Sequence, residues 1–164
     1  MIIPGLFALA SLTILVAAPP GPRPSTPPPA PPRTVISAPP DEDRSPAAAA
    51  FIDAYGRAHA ARDVHAFEKL VEWTDVTPSM RQALLRSFEA DLSQPIQSIY
   101  VTPVDPQEVY SFTLHSVTYR PNLEPIRVLN IWFEMPDGGA QRTSYVVGRA
   151  TDLSYRIAAA APVP

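Results

Sequence analysis

SPAAAAFIDAYGRAHAARDVHAFEKLVE, residues 45–72, is the stretch on which the fold turns. Ser45 stands where an N-cap hydroxyl accepts from the first free amides, and Pro46 takes the first helical position, where a missing N–H costs nothing. Phe51, Tyr55 and Ala58 recur at i, i+4 and i+7, with Ala48 and Ile52 beside them, so one helix face is apolar. Asp63 reads as the cap of a second, short helix over VHAFEKLVEW, whose Val64, Phe67, Leu70 and Val71 share a side. A third helix follows in TPSMRQALLRSFEADL. Thr77 caps it, Pro78 opens it, and Met80, Leu84, Phe88 and Leu92 form its buried stripe, which ends at Gln94-Pro95.

Beyond Pro95 the hydrophobic period falls toward two. IQSIYVTPV places Ile99 and Val101 on one face, and VYSFTLHSVTY reads as one strand from its β-branched and aromatic residues. IRVLNIWFEM alternates Leu129, Ile131 and Phe133 against Val128, Asn130 and Trp132. PDGG, at 136–139, has the chemistry of a tight turn, and RTSYVVGRA and LSYRIAAAA make the last hairpin around a Thr-Asp turn. The expectation is an α+β domain over residues 45–164, with three N-terminal helices packed on a curved antiparallel sheet of four to five strands.

Upstream the composition changes. Eleven of the 22 prolines lie between Pro19 and Pro40, so residues 19–44 read as a stiff, polyproline-like spacer of about 3.1 Å per residue. A PxxP spacing there also suits proline-binding modules, but a linker accounts for the composition. The adjoining DEDR, residues 41–44, reads as solvated. Residues 1–18, MIIPGLFALASLTILVAA, resemble a signal peptide, although no Lys or Arg precedes the apolar run. Export to a periplasmic or extracellular space is expected, with residues 2–18 as a membrane anchor where they are not cleaved. The chain contains no cysteine, which excludes disulfides, thiol catalysis and a lipid on a lipobox cysteine.

FIDAYGRAHAARDVHAFEKLVE and the order of elements after it resemble the NTF2-like, or SnoaL-like, superfamily, across residues 45–164. The resemblance implies a cone-shaped α+β fold. Members range from isomerases and dehydratases to silent binding domains, so it does not choose a function. In the catalytic members acid-base residues project into a cavity between helices and sheet. On that pattern His59 is a candidate general base oriented by Asp63, with Tyr55 as a further catalytic candidate. The alternative makes Asp63 the cap of the second helix and His59 a half-buried packing residue.

VTYRPNL, residues 117–123, offers a second candidate. Pro121 extends Arg120, and Asn122 is at ease with positive φ, so the segment reads as a bend leaving a strand. Tyr119, Arg120 and Asn122 would then stand at a rim of the sheet where a guanidinium and an amide hold a carboxylate or a peptide end. Trp132 joins them as a ligand-binding candidate. Three scattered histidines make no metal-ligand spacing, and no nucleophile elbow or phosphate-cradling loop occurs. Twelve arginines and one lysine are dispersed through a chain of net charge −3, which is no nucleic-acid footprint. The expectation is therefore a binding module without metal or cofactor, monomeric or homodimeric, for a small apolar ligand or a protein partner. The alternative is a small isomerase- or dehydratase-like enzyme. Membrane contact is expected only through the amino terminus.

Overall fold

In a computed structural model, Pro39 and residues 41–163 are described, so the apolar amino terminus and the spacer up to residue 38 lie outside the described residues. Three helices form among the described residues: α1 (Pro46–Ala61), α2 (Val64–Glu68) and α3 (Pro78–Asp91). Their starts follow the sequence chemistry. Ser45, Asp63 and Thr77 each accept from the backbone N–H three residues on, at Ala48, Ala66 and Met80. Arg62 closes α1 in the left-handed region at φ 53°, and its N–H turns back to the Ala58 and His59 carbonyls.

Eight strands are found among the described residues: β1 (Val71–Glu72), β2 (Ile96–Pro103), β3 (Phe112–Leu114), β4 (Val117–Pro121), β5 (Arg127–Glu134), β6 (Ala140–Arg149), β7 (Tyr155–Ala158) and β8 (Ala160–Pro162). The class is α+β, as expected, but the sheet differs in three ways. First, the second helix stops at Glu68, and Val71–Glu72 pair in parallel with Ile157–Ala158, so a strand interrupts the helical block and makes the sheet mixed. Second, VYSFTLHSVTY is a hairpin. His115 and Ser116 both take positive φ, 48° and 66°, the two-residue turn whose twist suits adjoining strands. Third, the last run breaks at Ala159, sending β8 to pair with β4 rather than to continue the main sheet.

Two sheets result, one of order β1-β7-β6-β5-β2 and one of order β3-β4-β8. The inner face of the larger sheet meets α1 and α3 in a single core. Leu129, Ile131 and Phe133 on β5, Val101 on β2 and Val147 on β6 are fully buried there, under Phe51, Tyr55, Phe67 and Phe88. The Phe67 and Phe88 rings stack at 3.9 Å between centroids, and Tyr55 meets both edge-on.

The DEDR run is not simply solvated. Asp43 donates its N–H to the Val101 carbonyl and accepts from Arg127 Nε at 2.8 Å and the Tyr155 hydroxyl at 3.0 Å. It ties the start of α1 to β2, β5 and β7. The folded part therefore reaches upstream of Ser45.

Candidate functional site

The segment that leaves β4 is held by Asn122. Its Nδ2 donates to the carbonyls of Glu72 and Thr74, both at 2.9 Å, and its own N–H donates to Ala159 at 2.9 Å. One side chain thus fastens the smaller sheet to the β1 end of the larger one. Asn122 does not use positive φ; among the described residues the left-handed non-glycine residues are Arg62, Asp75, His115, Ser116 and Leu153. The chain then passes so close to β6 that a Cβ on Gly148 would lie 2.5 Å from Leu123 Cβ and 2.8 Å from the Glu124 carbonyl. Only a glycine admits that approach.

This crossing shapes an open groove of about 870 Å³. Pro121, Leu123, Pro125 and Pro162 are among the apolar residues lining it, and Arg120, Asp75 and Glu124 bring charge. Arg120 and Glu124 are exposed. None of the three charges has an ion-pair partner among the described residues. The oxygen of Asn122, Oδ1, is buried without a hydrogen-bond partner. Tyr119 lies aside from this wall. Its ring stacks on Phe112 at 5.2 Å, across the β3–β4 pair.

Trp132 stands elsewhere, on the sheet face away from the helices. It donates Nε1–H to the Tyr100 hydroxyl at 3.0 Å, and Arg142 lies over its ring at 5.7 Å. Beside it Asn130 is buried, accepting from Ser144 and donating to Thr102. The sequence candidates thus divide among three places, Arg120 and Asn122 in the groove, Tyr119 against Phe112 on the β3–β4 pair and Trp132 on the outer sheet face.

The three acid-base candidates also divide. Asp63 is the cap of α2, accepting from Ala66 N–H at 3.0 Å. His59 is buried between the rings of Tyr55 and Phe133, and its Nε2 lies 3.1 Å from the Asp91 backbone carbonyl, so that nitrogen carries the hydrogen. Tyr55 is fully buried. Its hydroxyl and that of Tyr145 on β6 are enclosed beside each other, with Asp91 Oδ2 at the end of α3 enclosed near them. Burial pushes both tyrosines above their ordinary range, and the nearby Asp91 adds to that. Burial likewise raises the Asp91 carboxyl, against the opposing pulls of Thr143 and His59.

Asp91 and Tyr145 were not singled out in the sequence. Asp91 ends a helix, where an acid opposes the helix dipole, and that position was the available signal. Among the described residues no cluster of His, Cys, Asp or Glu could hold a metal ion, and no helix is long and apolar enough to cross a membrane. No known protein-family profile matches the chain, and no curated protein matches it as a relative.

Proposed function

We propose that the chain is an exported, non-catalytic binding module of NTF2-like type, curved into the cone implied by the sequence resemblance, and that it takes its ligand in the groove beside β4 and β8. One observation carries this reading. Arg120 presents a guanidinium without an ion pair among the described residues in an open groove of about 870 Å³ with mixed apolar and charged walls, which lies within the size range of ligand sites. A guanidinium in that setting favours a carboxylate, held by paired N–H donors. The helix–sheet interior, by contrast, is occupied by the rings of Tyr55, Phe67, Phe88 and Tyr145.

The test joins two measurements on the full chain. Native mass spectrometry after gentle purification should find a bound mass that Arg120→Glu loses. Titration with glutarate, followed by amide NMR, should shift the amides of residues 120, 122–124, 161 and 163. A clean apo mass together with unmoved groove amides would sink the reading.

The buried Tyr55 and Tyr145 hydroxyls beside Asp91 favour a second reading, a small isomerase or dehydratase. In it Tyr55 and Asp91, rather than Asp63, would handle the proton, and His59 would position Asp91 through its carbonyl. Tyr55→Phe separates the two readings. It should leave groove binding intact, whereas an enzyme working through Tyr55 would lose turnover.

A further inference from the structure

We infer that the groove selects a short extended peptide that carries both a cationic side chain and a carboxylate, a narrowing that rests on the binding reading above. The argument begins at the Asn122 clip. Arg120 lies two residues before Asn122 and Glu124 two residues after it. Asp75 directly follows Thr74, whose carbonyl Asn122 holds at 2.9 Å. The clip therefore gathers one cation and two anions around a single crossing, and all three line the groove.

None of these charges is neutralised among the described residues, so each is available to a ligand of opposite sign. A ligand with only a carboxylate answers Arg120 and meets repulsion from Asp75 and Glu124. A ligand with only a cation has the reverse difficulty. A ligand with both satisfies the set, and like-charge juxtaposition weakens the binding of the others without abolishing it. Pro121, Leu123, Pro125, Pro162 and Val163 supply apolar surface for the stem between the two charges.

The mode of recognition follows from β8. Val163 N–H bonds the Thr118 carbonyl and Asn122 N–H bonds the Ala159 carbonyl, which places Pro162 opposite Tyr119 in a pair without mutual hydrogen bonds. The Pro162 nitrogen, which has no hydrogen, therefore faces the free edge of the smaller sheet. That edge lacks a donor where an added strand would need one. The peptide is read by its side chains and charges, not by strand addition.

The experiment is a calorimetric and amide-NMR titration of the full chain with acetyl-Lys-Val-Val-Glu-amide. Two controls replace its Lys by norleucine or its Glu by Gln. Saturable binding is expected, weakened about tenfold in either control, the loss expected for one charge-assisted contact of about 1.4 kcal/mol. Arg120→Glu should weaken the parent peptide by a similar factor and recover affinity for a peptide with Lys in place of Glu. Equal binding of the norleucine peptide would overturn the cationic requirement while leaving carboxylate binding in the groove standing. If Arg120→Glu remains folded by circular dichroism and binds the parent peptide unchanged, the inference and the reading beneath it both fall. Shifts outside the groove amides would also overturn it.

Discussion

The Arg127 guanidinium donates to the Asp43 carboxylate at 2.8 Å, across 84 positions of sequence. The Asp43 side chain keeps only 10% of its surface exposed, and Tyr155 donates to the same oxygen. Asp43, two residues before the α1 cap, is therefore part of the fold, and deletions should be drawn on that basis. A chain beginning at Asp41 should retain this anchor. One beginning at Ser45, or Asp43→Asn in the full chain, should lose about 2 kcal/mol, the scale of a hydrogen bond to a charged group. Urea unfolding of the shortened chains and the variant checks this. Equal midpoints would mean that the anchor contributes nothing.

Two carboxyls set opposing pH dependences. The Arg127 guanidinium, aided by Ser45 and Tyr155, holds the Asp43 carboxyl well below the usual carboxylate range. Its stabilisation is complete above that range and is lost as pH falls through the lowered folded-state value. Burial instead raises Asp91, so its contribution is most favourable below the ordinary carboxylate range and is lost as pH rises toward the raised folded-state value. Asp91→Asn should flatten the decline on the rising side, and Asp43→Asn should flatten the acid limb. Unfolding midpoints measured across pH 2 to 8, a window of about six units spanning the ordinary carboxylate value, would read both. Unchanged profiles would contradict these assignments.

Phe88 is fully buried and stacks on Phe67, while Phe51 is 5% exposed and meets Tyr155 edge-on. Truncating either to alanine should cost about 3 to 5 kcal/mol. A loss below about 1 kcal/mol by chemical denaturation would show that the helix faces are misplaced.

Asn122 offers a test of how the two sheets are joined. Asn122→Asp replaces the amide donor with a carboxylate facing the Glu72 and Thr74 carbonyls, so two acceptors lose their partner. The expected cost is about 2 to 4 kcal/mol, from lost hydrogen bonds and an unpaired charge. Amide exchange in β4 and β8 should quicken more than in β5. Uniform quickening would mean that the clip acts on the whole domain.

The helices were legible because their signals are local. Caps at Ser45, Asp63 and Thr77 and the stripe of Phe51, Tyr55 and Ala58 all act within a turn or two, and the structure places them as read. β5 was equally legible, since its alternation places Leu129, Ile131 and Phe133 inward. The sheet's partition was not. Val71 continues a helical period yet pairs with Ile157, because a remote strand supplies its hydrogen bonds. His115-Ser116 turns without the usual Asn-Gly signature, and nothing local to Ala159 marks the change of sheet. The site was legible in part for the same reason. Arg120 and Asn122 stand out in VTYRPNL, but Asp75 reaches the groove only through the long-range bond from Asn122 to Thr74.

Gly148 ties the future of two distant segments together. Because a Cβ there would fall 2.5 Å from Leu123 and 2.8 Å from the Glu124 carbonyl, no other residue can occupy the position while the 122–124 crossing stays in place. In any lineage that keeps the groove, this glycine and the length of the crossing loop should be inherited as one unit. A descendant that lost the glycine would have had to release the loop first, and with it the wall that carries Glu124.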